Sequence, residues 1–118
     1  MSDAKTYKGS CHCGKVQYEV ETALEQVIDC NCSMCSRSGS LLTFVGEDRF
    51  KLLSGEEALK DYRFNTKAIA HLFCTECGIR SFGRGTGPNG PMYAVNVRCL
   101  EGVDPASLKV VHVDGRSR

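Results

Sequence analysis

The sequence predicts a small all-β protein held together by metal, and three observations lead to this prediction. Short apolar runs recur along the 118 residues and are separated by glycines, a spacing typical of an antiparallel sandwich or open barrel. Eight residues are cysteines, a share that indicates either disulfides or metal binding. Hydrophobic residues make up 42% and charged residues 25% of the chain, values typical of a folded globular domain. We therefore predict a single domain over residues 1–118, with the cysteines as its candidate metal ligands.

The strands are predicted from alternation and from apolar runs. Residues 15–21 alternate polar and apolar side chains with the period of a half-buried strand. The next two apolar runs, 41–45 and 50–53, are followed by a glycine and by Ser-Gly, respectively. The predicted strands lie at 15–21, 41–45, 50–53, 68–73, 93–97 and 110–113. Residues 58–64 fit either a strand or a short helix, because their periodicity does not decide between the two.

Two further segments are predicted from their turn-forming residues. Asp104 followed by Pro105 is the pattern of a helix start, so one short turn of helix is expected there. Residues 83–91 are rich in glycine but have no Gly-Lys-Ser/Thr ending, so they are not a phosphate-binding loop. We interpret them as a hairpin loop, with the rim of a substrate site as the alternative.

The charge and hydropathy patterns exclude several classes of protein. A net charge of +1 argues against a phosphate-driven nucleic-acid binder. No apolar run approaches the roughly 18 residues that a membrane span needs. The first eight residues have no apolar stretch of the kind an export signal needs. We therefore expect a cytoplasmic protein, where clustered cysteines indicate metal binding rather than disulfides.

Seven of the eight cysteines fall into three short clusters, which we call knuckles. The first knuckle is Cys11 and Cys13, the second is Cys30, Cys32 and Cys35, and the third is Cys74 and Cys77. Thiolate clusters favour zinc, which takes four ligands in a structural site and three protein ligands in an open site. The compact second knuckle suits the open site, so the first and third knuckles together would form the structural one.

A rival pairing joins the second and third knuckles. Cys32 and Cys35 with Cys74 and Cys77 would make a zinc ribbon. The gap between these pairs is longer than the roughly 15–20 residues usual for a ribbon, and three other thiols would be left over.

The remaining cysteine and the histidines are interpreted mainly as structural. Cys99 ends a predicted strand and is expected to be a small buried residue, with a thiol near the open metal as the alternative. His12 lies between two predicted ligands and is expected to point away from their metal. His71 and His112 are expected to be structural, although imidazole is a common metal ligand.

The three motifs, in this order, resemble the glutathione-dependent formaldehyde-activating enzyme family, which includes centromere protein V-like members. The first is Gly-Ser-Cys-His-Cys-Gly at 9–14, with Val16 and Tyr18 after it. The second is Cys-Asn-Cys-Ser-Met-Cys at 30–35, followed by Gly39, and the third is Phe-Cys-Thr-Glu-Cys-Gly at 73–78. The resemblance covers about residues 9–100. It implies an Mss4-like fold, an all-β tent of antiparallel sheets stapled by zinc.

The resemblance also implies site residues and an activity. It implies two zinc ions per chain: a structural ion on Cys11, Cys13, Cys74 and Cys77, and a catalytic ion on Cys30, Cys32 and Cys35. The implied enzyme is a carbon–sulfur lyase of the S-(hydroxymethyl)glutathione synthase type. It would add glutathione, or a related thiol, to formaldehyde or another small aldehyde.

Glutathione carries two carboxylates, so its site is expected to contain guanidinium groups. Arg37 lies two residues past the second knuckle and is the first candidate, and Arg98 is the next. Arg80 and Arg84 follow them. Two other functions stay open: a non-catalytic binder of glutathione or another thiol, and a zinc-stapled interaction module.

Overall fold

The computed structural model describes residues 4–24, 26–31, 33–62, 70–87 and 90–114. Within these ranges the chain forms ten strands, one short helix and four single 3-10 turns, which confirms the predicted all-β class. The strands are β1 Lys5–Ser10, β2 Gln17–Thr22, β3 Gln26–Cys30, β4 Leu42–Gly46, β5 Phe50–Ser54, β6 Leu59–Tyr62, β7 Ala70–Cys74, β8 Phe82–Gly87, β9 Gly90–Asn96 and β10 Lys109–Val113. The helix, α1, spans Ser33–Ser38. No helix within these ranges is long and apolar enough to cross a membrane.

The strands form two sheets. The smaller sheet has the order β1-β2-β5, and the larger has the order β10-β3-β4-β9-β8-β7-β6. Neighbouring strands pair antiparallel, as predicted, except for β10 and β3, which pair in parallel. A parallel pair needs a long connection between its strands. Here that connection is most of the larger sheet itself, because β3 comes early in the chain and β10 is the last described strand.

A cluster of aromatic rings joins the two sheets. Tyr18 and Phe50 come from the smaller sheet, and Phe82 and Tyr93 come from the larger one. The rings of Phe50 and Tyr93 stack with centroids 4.0 Å apart and planes 9° apart. Phe50 also lies 4.7 Å from Phe82, and Tyr18 lies 5.3 Å from Phe50. Contacts of this kind each stabilise by about 0.5–1.5 kcal/mol beyond simple burial, so the cluster fixes one sheet on the other.

Each of the six predicted strands overlaps an observed one. Of the ambiguous segment 58–64, residues 59–62 are strand, while 63 and 64 lie outside the described residues. The predicted helical turn is the 3-10 turn Pro105–Ser107, where the Asp104 carboxylate accepts a hydrogen bond from the Ala106 N–H at 3.0 Å.

The interpretation of residues 83–91 as a loop is wrong over most of its length. Strand β8 runs to Gly87 and β9 begins at Gly90, and these two glycines are paired across the hairpin. Residues 88 and 89 lie outside the described range. The glycines of β8 alternate with larger residues on a strand that has paired neighbours on both sides, so sheet pairing overrides their low strand propensity.

Candidate metal centre

The first and third knuckles meet at one point. Cys11 and Cys13 follow β1, Cys74 ends β7, and Cys77 lies in the turn after it. Their four Sγ atoms all lie within 4.8 Å of one another. Cys13 Sγ is 3.5 Å from Cys11 Sγ and 3.6 Å from Cys74 Sγ. Tetrahedral zinc with Zn–S bonds of about 2.3 Å holds its sulfurs about 3.8 Å apart, so the four thiols fit a zinc ion.

Both knuckles close on a glycine in the left-handed region. Gly14 has φ +82° and donates its N–H to the Cys11 carbonyl at 3.3 Å. Gly78 has φ +77° and donates to the Cys74 carbonyl at 2.8 Å. Residues with a Cβ adopt this conformation at a cost, so glycine is the residue that suits each turn. The turns point both thiols of each knuckle at the same centre.

Backbone donors also face the sulfurs. The Val16 N–H lies 3.4 Å from Cys11 Sγ. Burial raises the pKa of the Cys77 thiol, but hydrogen bonds from the backbone of Cys13 and Ile79, with those of neighbouring thiols, lower it to about 6. For Cys13, a backbone hydrogen bond from Lys15 lowers the thiol pKa, while desolvation and the three neighbouring thiols raise it to about 12. Zinc ligands are thiolates, and a divalent cation is what removes the repulsion between them.

This arrangement excludes the zinc-ribbon pairing. Among the described residues, Cys74 and Cys77 gather with Cys11 and Cys13. Four of the seven knuckle cysteines thus form one group, which is the predicted four-ligand site, while the three-ligand site on the second knuckle stays a prediction. The ribbon is wrong because the residues after β1, a strand of the smaller sheet, meet the end of β7, a strand of the larger sheet. Spacing along the sequence does not show this proximity.

The second knuckle lies on different elements. Cys30 is the last residue of β3, and Cys35 is buried within α1. Cys32 lies outside the described residues. Gly39, with φ +70°, ends the helix and donates its N–H to the Cys35 carbonyl at 3.0 Å, the left-handed termination common at helix ends. The helix itself was not predicted from the sequence.

Two arginines reach the segment that follows α1. Arg98 Nε donates to the Gly39 carbonyl at 3.2 Å. Arg80 Nη1 donates to Ser38 Oγ at 3.1 Å and to Ser40 Oγ at 3.4 Å.

The other two candidate arginines differ in their surroundings. Arg37 lies in the last turn of α1 and is exposed. Arg84 instead lies over the Tyr93 ring, 5.8 Å from its centroid, on the β8–β9 hairpin. The predicted candidates Arg37 and Arg98 are therefore both close to the segment that carries Cys35.

The three histidines have different roles. His71 is buried, and its Nδ1 lies 2.7 Å from Arg80 Nη2. Burial, with the Arg80 guanidinium, lowers the pKa of His71 to about 4, so its ring is neutral and accepts this hydrogen bond. His112 Nδ1 lies 3.3 Å from the Asp29 carboxylate at the surface. His12 is exposed.

Cys99 is half-buried in the 3-10 turn Val97–Cys99, and burial raises the pKa of its thiol. The prediction that Cys99 is a small buried residue is therefore met only in part.

The chain is similar to a known family and to a solved structure. A family model described as glutathione-dependent formaldehyde-activating enzyme matches residues 6–112. A crystal structure of a Rhodobacter sphaeroides protein superposes with a TM-score of 0.76 and 34% sequence identity, covering 88% of this chain and 99% of that one. The family model thus matches a longer part of the chain than the residues 9–100 over which the motifs predicted the resemblance.

Proposed function

Because the chain belongs to the glutathione-dependent formaldehyde-activating enzyme family, we propose that it adds the thiol of glutathione, or of a related thiol, to formaldehyde or another small aldehyde. The observation that carries this proposal is the separation of the knuckles. Four thiols gather in one closed cluster, while Cys30 and Cys35 lie on β3 and α1. A purely structural protein needs the closed cluster alone.

The reaction joins two molecules without oxidation or reduction. The thiol sulfur forms a bond to the carbonyl carbon, and the carbonyl π electrons move to oxygen. The proton lost by the thiol ends on that oxygen, giving a hemithioacetal, which is S-hydroxymethylglutathione when the aldehyde is formaldehyde. The thiolate is the nucleophile, so the protein contributes by favouring the ionised thiol and by orienting it toward the aldehyde.

We assign a second zinc ion to Cys30, Cys32 and Cys35, which gives two ions per chain. Three thiol donors within six residues are a suitable ligand set for zinc with one open position. When bound, zinc would supply the positive charge that favours the thiolate form of a substrate thiol. The buried Cys35 and Cys30, at the end of β3, would hold this charge.

Arg98 and Arg37 are assigned to the carboxylates of glutathione. The Arg98 guanidinium is exposed, and its Nε is fixed on the Gly39 carbonyl. This hydrogen bond orients the guanidinium plane beside the turn that follows Cys35, while the terminal nitrogens belong to the exposed end of the side chain. A pre-oriented guanidinium binds a carboxylate with a smaller loss of side-chain entropy.

The compartment follows from the same chemistry. A thiol substrate and thiolate ligands both require reducing conditions, so the proposal assigns the protein to the cytoplasm. Its partners would be glutathione and a small aldehyde.

The test is the rate of hemithioacetal exchange between glutathione and formaldehyde, measured at equilibrium by two-dimensional NMR exchange spectroscopy. The zinc-loaded protein is expected to raise this rate well above that of buffer. Cys35→Ser should return the rate to the buffer value, whereas Cys99→Ser, the control outside the knuckles, should keep it. A wild-type rate equal to that of buffer contradicts the proposal. If glutathione still binds saturably in that case, the non-catalytic thiol binder becomes the better account.

A further inference from the structure

We propose that Arg80 and His71 are positioning residues for the second knuckle. They fix the turn that ends helix α1 and, through it, the place of Cys35. The inference rests on the proposed function in one respect, because it concerns how the assigned thiol site is held. Neither residue is assigned a contact with substrate.

Arg80 connects two distant parts of the chain. One terminal nitrogen, Nη1, donates to Ser38 Oγ at 3.1 Å and to Ser40 Oγ at 3.4 Å. The other, Nη2, lies 2.7 Å from His71 Nδ1. The guanidinium is a rigid planar fork, so fixing one edge on His71 also sets the direction of the other. The turn after α1 is thereby tied to strand β7.

His71 is a suitable anchor for this fork. It is buried in β7, a strand that pairs with β6 on one side and β8 on the other. The His71 backbone is thus held from both sides. The imidazole is neutral beside the cationic Arg80, so Nδ1 acts as the hydrogen-bond acceptor.

The turn passes this constraint to Cys35. Ser38 Oγ donates to the Cys35 carbonyl at 3.5 Å and lies 3.1 Å from Ser40 Oγ. The Gly39 N–H donates to the same Cys35 carbonyl at 3.0 Å. A helix of six residues is too short to be stable alone, so contacts of this kind determine where it lies.

Arg80 differs from Arg98 in how its guanidinium is used. Both terminal nitrogens of Arg80 already have partners within the protein. Its carbonyl also accepts a hydrogen bond from Asn96 Nδ2 at 3.2 Å, which fixes the backbone from which the side chain extends. The terminal nitrogens of Arg80 are therefore both occupied within the fold, whereas the exposed Arg98 is the one assigned to substrate.

The test is the rate at which iodoacetamide alkylates individual cysteines, followed by peptide mass spectrometry on the purified protein. Cys35 is buried, so its rate reports local opening at α1. Cys74 is fully buried in the four-thiol cluster, so its rate reports general unfolding. The variants are His71→Leu, which removes the acceptor, and His71→Asn, which supplies an amide oxygen in place of Nδ1. Arg80→Lys keeps the charge but has one nitrogen instead of a fork.

We expect His71→Leu and Arg80→Lys to speed Cys35 alkylation about tenfold, the effect of losing one charge-assisted hydrogen bond. The Cys74 rate should stay unchanged, and His71→Asn should restore the slow Cys35 rate. Arg84→Lys, a matched change on the β8–β9 hairpin, should have no effect. If His71→Leu does not fold, Arg80→Lys and His71→Asn still decide the question.

Three results would overturn the inference. They are an unchanged Cys35 rate in both disrupting variants, an equal acceleration of Cys74, and a His71→Asn variant with Cys35 exposed as in the disrupting ones. The measurement needs neither glutathione nor aldehyde. A protein with the expected alkylation pattern and no effect on hemithioacetal exchange would therefore disprove the proposed function while leaving the positioning role intact.

Discussion

The two arginines near the second knuckle differ in their surroundings: Arg80 contacts His71, Ser38 and Ser40, whereas Arg98 is exposed. Arg98 was predicted as a candidate from its charge alone, and the structure places its Nε on the Gly39 carbonyl. The contact between His71 and Arg80 was not predicted. It joins strand β7 to the segment after the third knuckle. The other side-chain partners of Arg80 are Ser38 and Ser40, which lie about forty residues earlier in the chain. No local pattern in the sequence shows such a contact.

At the residue scale, Arg98→Gln should raise the KM for glutathione at least about tenfold, because a charge-assisted hydrogen bond to a carboxylate is lost. The kcat should change much less, since Arg98 is assigned to a carboxylate and not to the reacting sulfur. Arg84→Gln, on the β8–β9 hairpin, is the matched control. Steady-state kinetics with glutathione varied would decide the matter, and equal KM values in the two variants would count against the assignment of Arg98.

His71 predicts a specific pH dependence of stability. Its pKa is lowered to about 4 in the folded protein, against 6.5 ordinarily, so the unfolded chain binds the proton more readily. The stability gained from a neutral His71 is therefore complete above pH 6.5 and is lost as the pH falls toward 4.

Urea denaturation at pH 7 and pH 4.5 measures this difference. Between these two pH values the wild type should lose about 2 kcal/mol more stability than His71→Asn, which has no titrating ring. Other groups that titrate in this range, including the zinc thiolates, contribute to both proteins and cancel in the comparison. Equal losses would show that His71 is not held neutral by its surroundings.

At the scale of elements, the sequence was most informative where side chains alternate or form apolar runs. It was less informative for β1 and β3, which have mixed polar and apolar residues, and both were missed. β1 is completed by pairing with β2, where Gly9 lies opposite Tyr18. β3 is completed by its parallel partner β10. Helix α1 was missed because six residues rich in serine show no helical periodicity.

The knuckles were predictable because metal binding imposes its own spacing on the sequence. What the sequence left open was which knuckles meet, and the ribbon remained a rival on spacing alone. In the structure the first and third knuckles meet, because the residues after β1 in the smaller sheet lie against the end of β7 in the larger one.

The two knuckle groups should respond differently to mutation. Cys74→Ser should unfold the protein or strongly lower its melting temperature, because structural zinc contributes directly to folding. Cys30→Ser, at the end of β3, should leave the fold largely intact. Thermal melts with zinc content measured for each variant make the comparison. Equal destabilisation would mean that the structural and open sites are wrongly assigned.

The turn after β5 packs closely against the backbone that follows the first knuckle, and substitutions of its glycine measure the importance of this contact for stability. Gly55 has φ +91°, and a Cβ there would meet the Lys15 carbonyl oxygen and lie 2.6 Å from Val16 Cα. Gly102 has φ +73° but nothing within 4 Å of an added Cβ. Gly102→Ala should therefore cost about 1–2 kcal/mol from backbone conformation alone.

Gly55→Ala should cost at least about 1 kcal/mol more than that, because the backbone of 15–16 must also move. Since these residues follow Cys13, zinc should also be released more readily from Gly55→Ala than from Gly102→Ala. Urea denaturation and the rate of zinc transfer to a chelator measure the two effects. Similar stability in the two variants would show that the close approach does not limit the turn.

The whole molecule combines a modest core with one metal staple. The aromatic cluster joins the two sheets, and the four-thiol cluster joins the residues after β1 to the end of β7. Cys30 and Cys35 of the second knuckle lie beyond these contacts, on β3 and on the short helix α1. A stable framework with a separately held thiol site is the arrangement that a thiol-activating protein needs, since the site can exchange ligands without unfolding the chain.

The central claim is that the second knuckle activates a substrate thiol, and calorimetric titration of zinc-loaded protein with glutathione and with S-methylglutathione tests it most directly. Glutathione should bind much more tightly, because a thioether cannot ionise and loses the attraction between thiolate and zinc. Binding releases the thiol proton, so glutathione affinity should rise with pH through the neutral range. Cys35→Ser should remove the difference between the two ligands. Equal binding of thiol and thioether by the wild type would contradict the claim.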